Sequence, residues 1–166
     1  YIVDSTGDVV VEAAGAGTDM VRTSLAGYTL GANLEILVFT SGFSVTGTGN
    51  TLDNTIAAGA GNDTLYGGAG LDWLYGEAGN DLRYGGGERG ARWGGTGHDI
   101  LYGDTGGDNL QGEAGNDRLY GGAGIDWLFG GDGDDRSEGG DDTDALFGGF
   151  GNDTLFGDNG GDNLDG

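Results

Sequence analysis

The sequence predicts an all-β repeat protein, and three observations predict it. From Gly49 to Asp165 the chain keeps a nine-residue period without insertion or deletion, which gives thirteen nonapeptides. In most units glycines come first, Asp stands sixth and an aliphatic residue stands eighth, as in Gly121-Gly122-Ala123-Gly124-Ile125-Asp126-Trp127-Leu128-Phe129. Most of the 42 glycines of this 166-residue chain therefore fall in register. Without a period that much glycine would indicate disorder; in register it marks turns that need a positive φ or close backbone approach. Each unit reads as a glycine turn ended by Asp, followed by a short strand.

Residues 1–48 lack the period and read as a β-rich N-terminal cap, or lead-in, to the array. The runs Asp8–Glu12, Met20–Arg22 and Leu34–Phe39 are separated by Gly and Asn, as strands joined by turns are. A cap here would cover the first open edge of the array, which otherwise invites pairing with other chains.

Residues 49–166 form the array itself. Position six carries Asp63, Asp72, Asp81, Asp99, Asp108, Asp117, Asp126, Asp135, Asp144, Asp153 and Asp162, with Asn54 in the first repeat and Gly90 in the fifth. Position eight is Leu or Ile in ten repeats, from Ile56 to Leu164. Three-residue strands put the middle side chain on one face and its neighbours on the other. Position eight should therefore point in, and positions seven and nine out. Position nine is mostly aromatic (Tyr66, Tyr75, Tyr84, Trp93, Tyr102, Tyr120, Phe129, Phe147, Phe156), so ladders of rings are expected on two outer faces, joined by Trp73 and Trp127. Residues 58–111 also align without gaps on 112–165, with 31 identities in 54 positions, which indicates duplication of a six-repeat block.

Charge narrows the function. The net charge is −22 with six Lys and Arg, so nucleic acid is excluded as a partner and anionic membrane surfaces would repel the chain. The Asp residues recur at nine-residue spacing rather than gathering in a tail, which suits ligands. There is no Cys, so disulfides and thiolate metal sites are absent. No apolar run is long enough to span a membrane. The chain starts on Tyr1-Ile2-Val3-Asp4, which is no signal peptide, and stops on Gly166, the first residue of another unit; both ends read as cut.

These nonapeptides resemble those of the RTX (repeats-in-toxin) family. The resemblance covers the whole array and implies a right-handed parallel β-roll, a β-solenoid with 18 residues per coil. Two nonapeptides then make one coil, and Ca²⁺ sits between successive turns of one column. One column would run Asp63, Asp81, Asp99, Asp117, Asp135, Asp153; the other Asn54, Asp72, Gly90, Asp108, Asp126, Asp144, Asp162. The family's remaining ligands are turn carbonyls, here those of residues such as Gly76, Ala78, Gly94, Thr96, Gly112, Ala114, Gly121, Gly122, Ala123, Gly124, Gly130 and Asp132. Such an oxygen set suits calcium; Mg²⁺ resists full dehydration and Zn²⁺ prefers His or Cys. Counting pairs with Asp on both sides gives eight sites, which would bring the net charge from −22 to −6. Two inward aliphatic side chains per coil cannot offset the ordering of eighteen residues, so the chain is expected to be disordered without calcium and rod-like with it. Extracellular modules of this kind bind at about 10⁻⁴–10⁻³ M. Localisation is therefore expected outside a bacterial cell, secreted or at the cell surface, by the type I export the resemblance implies. The C-terminal secretion tail of that route has no counterpart in these residues.

The pattern breaks at residues 85–93, Gly-Gly-Gly-Glu-Arg-Gly-Ala-Arg-Trp. Arg92 takes the inward place, as Arg83 does in the unit before, and Gly90 replaces Asp. Either the register slips, turning Leu82 in and Arg83 out, or a guanidinium stands in for a missing Ca²⁺. Sites flanking Gly90 should be weak or empty. Ser137 is a milder break. His98, the one His, lies at position five of a turn, and neither His-Glu-x-x-His nor Gly-x-Ser-x-Gly occurs, so no catalysis is expected. Two further functions stay open: calcium-dependent self-assembly into a filament, surface layer or adhesin stalk, and a carbohydrate-binding adjunct, each through the outer aromatic ladders.

Overall fold

The computed structural model describes all 166 residues and contains strands but no helix, so no helix is long and apolar enough to cross a membrane. Two parallel sheets face each other. One stacks ten strands in chain order: Ile2–Val3, Met20–Thr23, Ile36–Phe39, Thr55–Ala60, Trp73–Ala78, Ala91–Thr96, Asn109–Ala114, Trp127–Asp132, Ala145–Phe150 and Asn163–Asp165. The other stacks eight: Gly27–Thr29, Thr46–Thr48, Thr64–Gly68, Leu82–Gly86, Ile100–Thr105, Arg118–Ala123, Arg136–Asp141 and Thr154–Asn159. Every pairing is parallel, and within the array each residue pairs with one eighteen positions on, as Leu110 does with Leu128. The chain thus alternates between sheets once per nonapeptide, which is a parallel β-roll.

Residues 1–48 enter the same two sheets, although they lack the nonapeptide. Their coils are irregular: Ile2 pairs with Arg22, Met20 with Ile36 and Gly27 with Thr46. The expected strands around Met20 and Ile36 form. The run Asp8–Glu12 does not, because Asp8 Oδ2 accepts the backbone N–H groups of Asp4 (3.2 Å) and Ser5 (3.1 Å) and holds a turn instead. Val9 and Val11 are left exposed.

All but the last of the array strands are also longer than three residues. Trp127–Asp132, for example, runs through the first three turn positions and skips a pairing at Gly130. The turn proper is only positions four to six. Position four approaches the preceding coil closely: a Cβ on Gly115 would collide with the carbonyl oxygen of Gly97, and its φ is +138°. Only glycine fits there.

Position eight points inward as expected. Ile56, Leu65, Leu74, Leu101, Leu110, Leu119, Leu128 and Leu146 are fully buried. Two separate apolar cores result, one of 11 buried residues from Val3 to Leu74 and one of five from Leu101 to Leu146. Outside, Tyr66, Tyr84, Tyr102 and Tyr120 stack with centroids 5.1, 5.0 and 4.8 Å apart. On the opposite face Tyr75 stacks on Trp93 (4.7 Å) and Phe129 on Phe147 (4.9 Å).

Candidate metal centre

The turns of alternate nonapeptides stack into two columns, because each coil advances one strand spacing and returns to the same side. In the first column the backbone N–H of Asp63 donates to Oδ1 of Asp81 (2.7 Å), Asp81 to Asp99 (2.7 Å), Asp99 to Asp117 (2.8 Å), Asp117 to Asp135 (2.8 Å) and Asp135 to Asp153 (2.9 Å). In the second, Gly90 donates to Asp108 (2.8 Å), Asp108 to Asp126 (2.7 Å), Asp126 to Asp144 (2.9 Å) and Asp144 to Asp162 (3.0 Å). Asn54 donates to Asp72 (2.9 Å), but Gly90 offers Asp72 no side chain, and the second column is interrupted there.

One oxygen of each Asp is thereby used, and the other is not. Oδ2 of Asp63, Asp72, Asp81, Asp99, Asp108, Asp117, Asp126, Asp135, Asp144 and Asp153 is buried with no hydrogen-bond partner. Ten buried orphan carboxylate oxygens in one chain call for a cation. Those of Asp72, Asp99, Asp108, Asp117, Asp126, Asp135 and Asp144 lie in cradles walled by the position-one glycine of their own turn and the position-one carbonyl one coil on. A Cβ on Gly121 would fill its cradle, against Asp126 Oδ2 and 2.5 Å from the carbonyl oxygen of Gly139. Gly112 stands alike, with Asp117 and the Gly130 carbonyl 2.5 Å away. The carbonyls of Gly94, Gly112, Gly121 and Gly130 thus edge cradles. Those of Ala78, Thr96, Ala114, Ala123 and Asp132 accept an N–H from the coil before and keep a second lone pair.

No cluster of three His, Cys, Asp or Glu side chains forms. A cradle supplies two carboxylates, and its other oxygens come from peptide carbonyls. This is a hard, all-oxygen donor set of the kind a calcium ion takes. Burial pushes the carboxyls of Asp117 and Asp126 up to about 7, and those of Asp72 and Asp81 to about 6, from 3.8. Burial also raises Asp63, Asp108, Asp135 and Asp144. The cause is shared: negative charge leaves water, and backbone N–H bonds compensate in part.

The break at residues 83–92 keeps the register. Arg83 pairs with Leu65 and Leu101, and Arg92 with Leu74 and Leu110, so the slip that would turn Leu82 inward does not occur. Both arginines are inside, at 0% and 1% exposure. Sequence reasoning missed a second ladder, at position five of the first column. The N–H of Asn80 donates to Asn62 Oδ1 (3.0 Å), His98 to Asn80 Oδ1 (2.9 Å), Asn116 to His98 Nδ1 (2.7 Å) and Asp134 to Asn116 Oδ1 (3.1 Å). Its signal is that Asn recurs at multiples of eighteen residues, at 62, 80, 116 and 152, and not every nine.

A family model described as the RTX calcium-binding nonapeptide repeat matches in four copies, over residues 48–82, 93–128, 111–146 and 129–164. The matches skip 83–92, the stretch bounded by the two buried arginines. Searches of curated proteins and of solved structures gave no match. The matched residues make up most of the chain, and its parallel coils place the repeat's Asp residues in stacked turns; the chain belongs to the RTX calcium-binding nonapeptide repeat family.

Proposed function

We propose that this calcium-binding β-roll is a folding device for the outside of the cell, ordered by Ca²⁺ that enters the cradles between successive turns. The observation that carries this reading is the set of ten buried carboxylate oxygens without partners. Asp99, Asp117, Asp135 and Asp153 in one column, and Asp108, Asp126, Asp144 and Asp162 in the other, hold the ions together with position-one carbonyls. A bound divalent cation supplies the positive charge that stacked carboxylates lack. The chain's own residues do the rest: Oδ1 clamps the neighbouring backbone, Oδ2 faces the cradle, and inward leucines close the coil. Calcium at about 10⁻⁴–10⁻³ M, as found outside cells, matches modules of this kind. Circular dichroism with calcium titrated into the metal-free chain tests the reading. A gain of β signal with a midpoint in that range is expected, and a calcium-indifferent spectrum overturns it.

A second reading has its own observation. Trp73 and Trp127 are 43% and 50% exposed and flank a cleft of about 450 Å³ on the ten-stranded sheet. In register they are separated by Ala91 and Asn109, three strand steps or about 14 Å. Two exposed indoles beside a cleft also lined by Arg89, Asp108 and Asn109 suit a short glycan. Loss of glycan retention in Trp73→Ala and Trp127→Ala, with calcium binding intact, is the expected result. The position-nine rings use their faces on one another, which leaves less for side-by-side assembly.

A further inference from the structure

Two cations are already built into the columns. The Arg83 guanidinium sits against Gly76 in the cradle between Asp81 and Asp99. Its Nη1 donates to the carbonyl oxygens of Trp93 (2.7 Å) and Gly94 (3.1 Å), and its Nη2 lies 3.3 Å from Asp99 Oδ1 and 3.6 Å from Asp81 Oδ2. Gly94 is the position-one residue whose carbonyl edges this cradle, as that of Gly130 does for Gly112. Arg92 repeats the arrangement in the other column. Its guanidinium lies against Gly85, with Nη1 2.6 Å from Asp108 Oδ1 and Nη2 donating to the Gly103 carbonyl (3.5 Å). Here the opposite Asp is replaced by Gly90, so a single positive charge meets a single carboxylate.

We propose that Arg83 and Arg92 are resident cations that occupy two of the calcium cradles permanently. Calcium is thereby confined to residues 94–166, and the coils before them fold without it. The proposal rests on the calcium reading above and says where that reading stops.

The other early cradles are disabled too. Ala58 stands in register with Gly76 and is fully buried, so it puts a methyl where the later glycines leave room. Asn54 brings no charge, and its Nδ2 donates to the Leu34 carbonyl (3.2 Å). Gly90 removes a ligand from the cradle beside Asp72. From Gly94 onward none of these defects occurs: the six cradles from Asp99–Asp117 to Asp144–Asp162 have Asp on both sides and glycine in first place. The apolar core changes at the same point. Eleven buried residues form one cluster up to Leu74, whereas the five leucines after the arginine layer contribute one per repeat. The part rich in apolar contacts is the part that lacks calcium sites.

Native mass spectrometry of the calcium-loaded full chain decides the matter by counting ions. Six Ca²⁺ are expected for the wild type and seven for Arg83→Leu, which restores the usual inward residue and empties the Asp81–Asp99 cradle. Arg92→Leu combined with Gly90→Asp should reach eight, because Asp at 90 also completes the cradle beside Asp72. A wild type that binds eight, or an Arg83→Leu chain that stays at six, overturns the proposal and leaves the calcium reading standing. A wild type that binds none overturns both. Should the variants fail to fold, hydrogen exchange on the wild-type chain in chelator still discriminates. Slow amides over residues 55–93 and fast ones over 100–160 are expected, and uniform exchange along the chain contradicts the proposal.

Discussion

At the scale of the residue, one carboxylate serves two cradles. Asp117 gives Oδ1 to the N–H of Asp99 and keeps Oδ2 in the next cradle along. Asp117→Asn retains an oxygen for the backbone bond but removes charge from both, so two ions per chain should be lost. Gly121→Ala removes no carboxylate but fills one cradle with a methyl against Asp126 Oδ2, so one ion should be lost. Isothermal titration calorimetry reads the two stoichiometries; equal losses would show that the Asp residues do not bridge. His98 makes a contrasting case. Its Nδ1 accepts a backbone N–H, which puts the proton of the neutral ring on Nε2, and it thereby does what Asn62, Asn80 and Asn116 do in their coils. His98→Asn should leave thermal stability nearly unchanged, and His98→Ala should cost up to about 1 kcal/mol, one hydrogen bond. A larger loss for the Asn variant would show that the imidazole has a further role.

At the scale of the element, what was legible in the sequence is what a single nonapeptide carries. The phase of Asp, the inward Leu and the outward aromatic ring are properties of one strand and one turn, and all three hold. Relations between coils were harder to read, because they recur at eighteen residues and are hidden under the nine. The Asn ladder is one such relation: compared every nine residues, position five shows no consensus. Ala58 carries no signal within its own nonapeptide, since only the stacking shows that its methyl stands in a cradle. Arg83 and Arg92 resisted for a different reason: a buried guanidinium is costly unless oxygens surround it, and those oxygens come from other coils. The Asp8–Glu12 run failed because a local Asp8 turn competes with a ladder at the sheet's end. The tyrosine ladder of the eight-stranded sheet gives an element-scale test. Tyr102 stacks on both Tyr84 and Tyr120, so Tyr102→Ala removes two contacts of about 0.5–1.5 kcal/mol each. It should lower the melting temperature of the calcium-loaded chain without altering ion count. A changed count would mean that the rings position the turns.

At the scale of the whole molecule, protons and calcium compete for the same columns. Burial raises Asp117 and Asp126 to about 7, and Asp72 and Asp81 to about 6, above the 3.8 of the unfolded chain. A carboxyl whose folded value is raised favours the folded state fully below the unfolded value, and that contribution is lost as pH rises through the folded one. Without calcium, β structure in the coils after residue 93 should therefore be greatest below about pH 4 and decline progressively until about pH 7, where Asp117 and Asp126 ionise in the folded chain. The net charge of −22 at neutral pH acts in the same direction. Calcium inverts the dependence, because its ligands must be deprotonated. Its midpoint should move to higher concentration as pH falls from 7.5 to 5.5, and the loaded chain should be most stable at neutral pH, where the metal-free one is least. Circular dichroism titrations at several pH values, with and without chelator, read both limbs. Parallel pH profiles for the two states would mean that the buried carboxylates do not govern folding. Opposite slopes would show that the columns choose between proton and calcium, which makes neutral pH without calcium the condition in which the coils after residue 93 cannot hold.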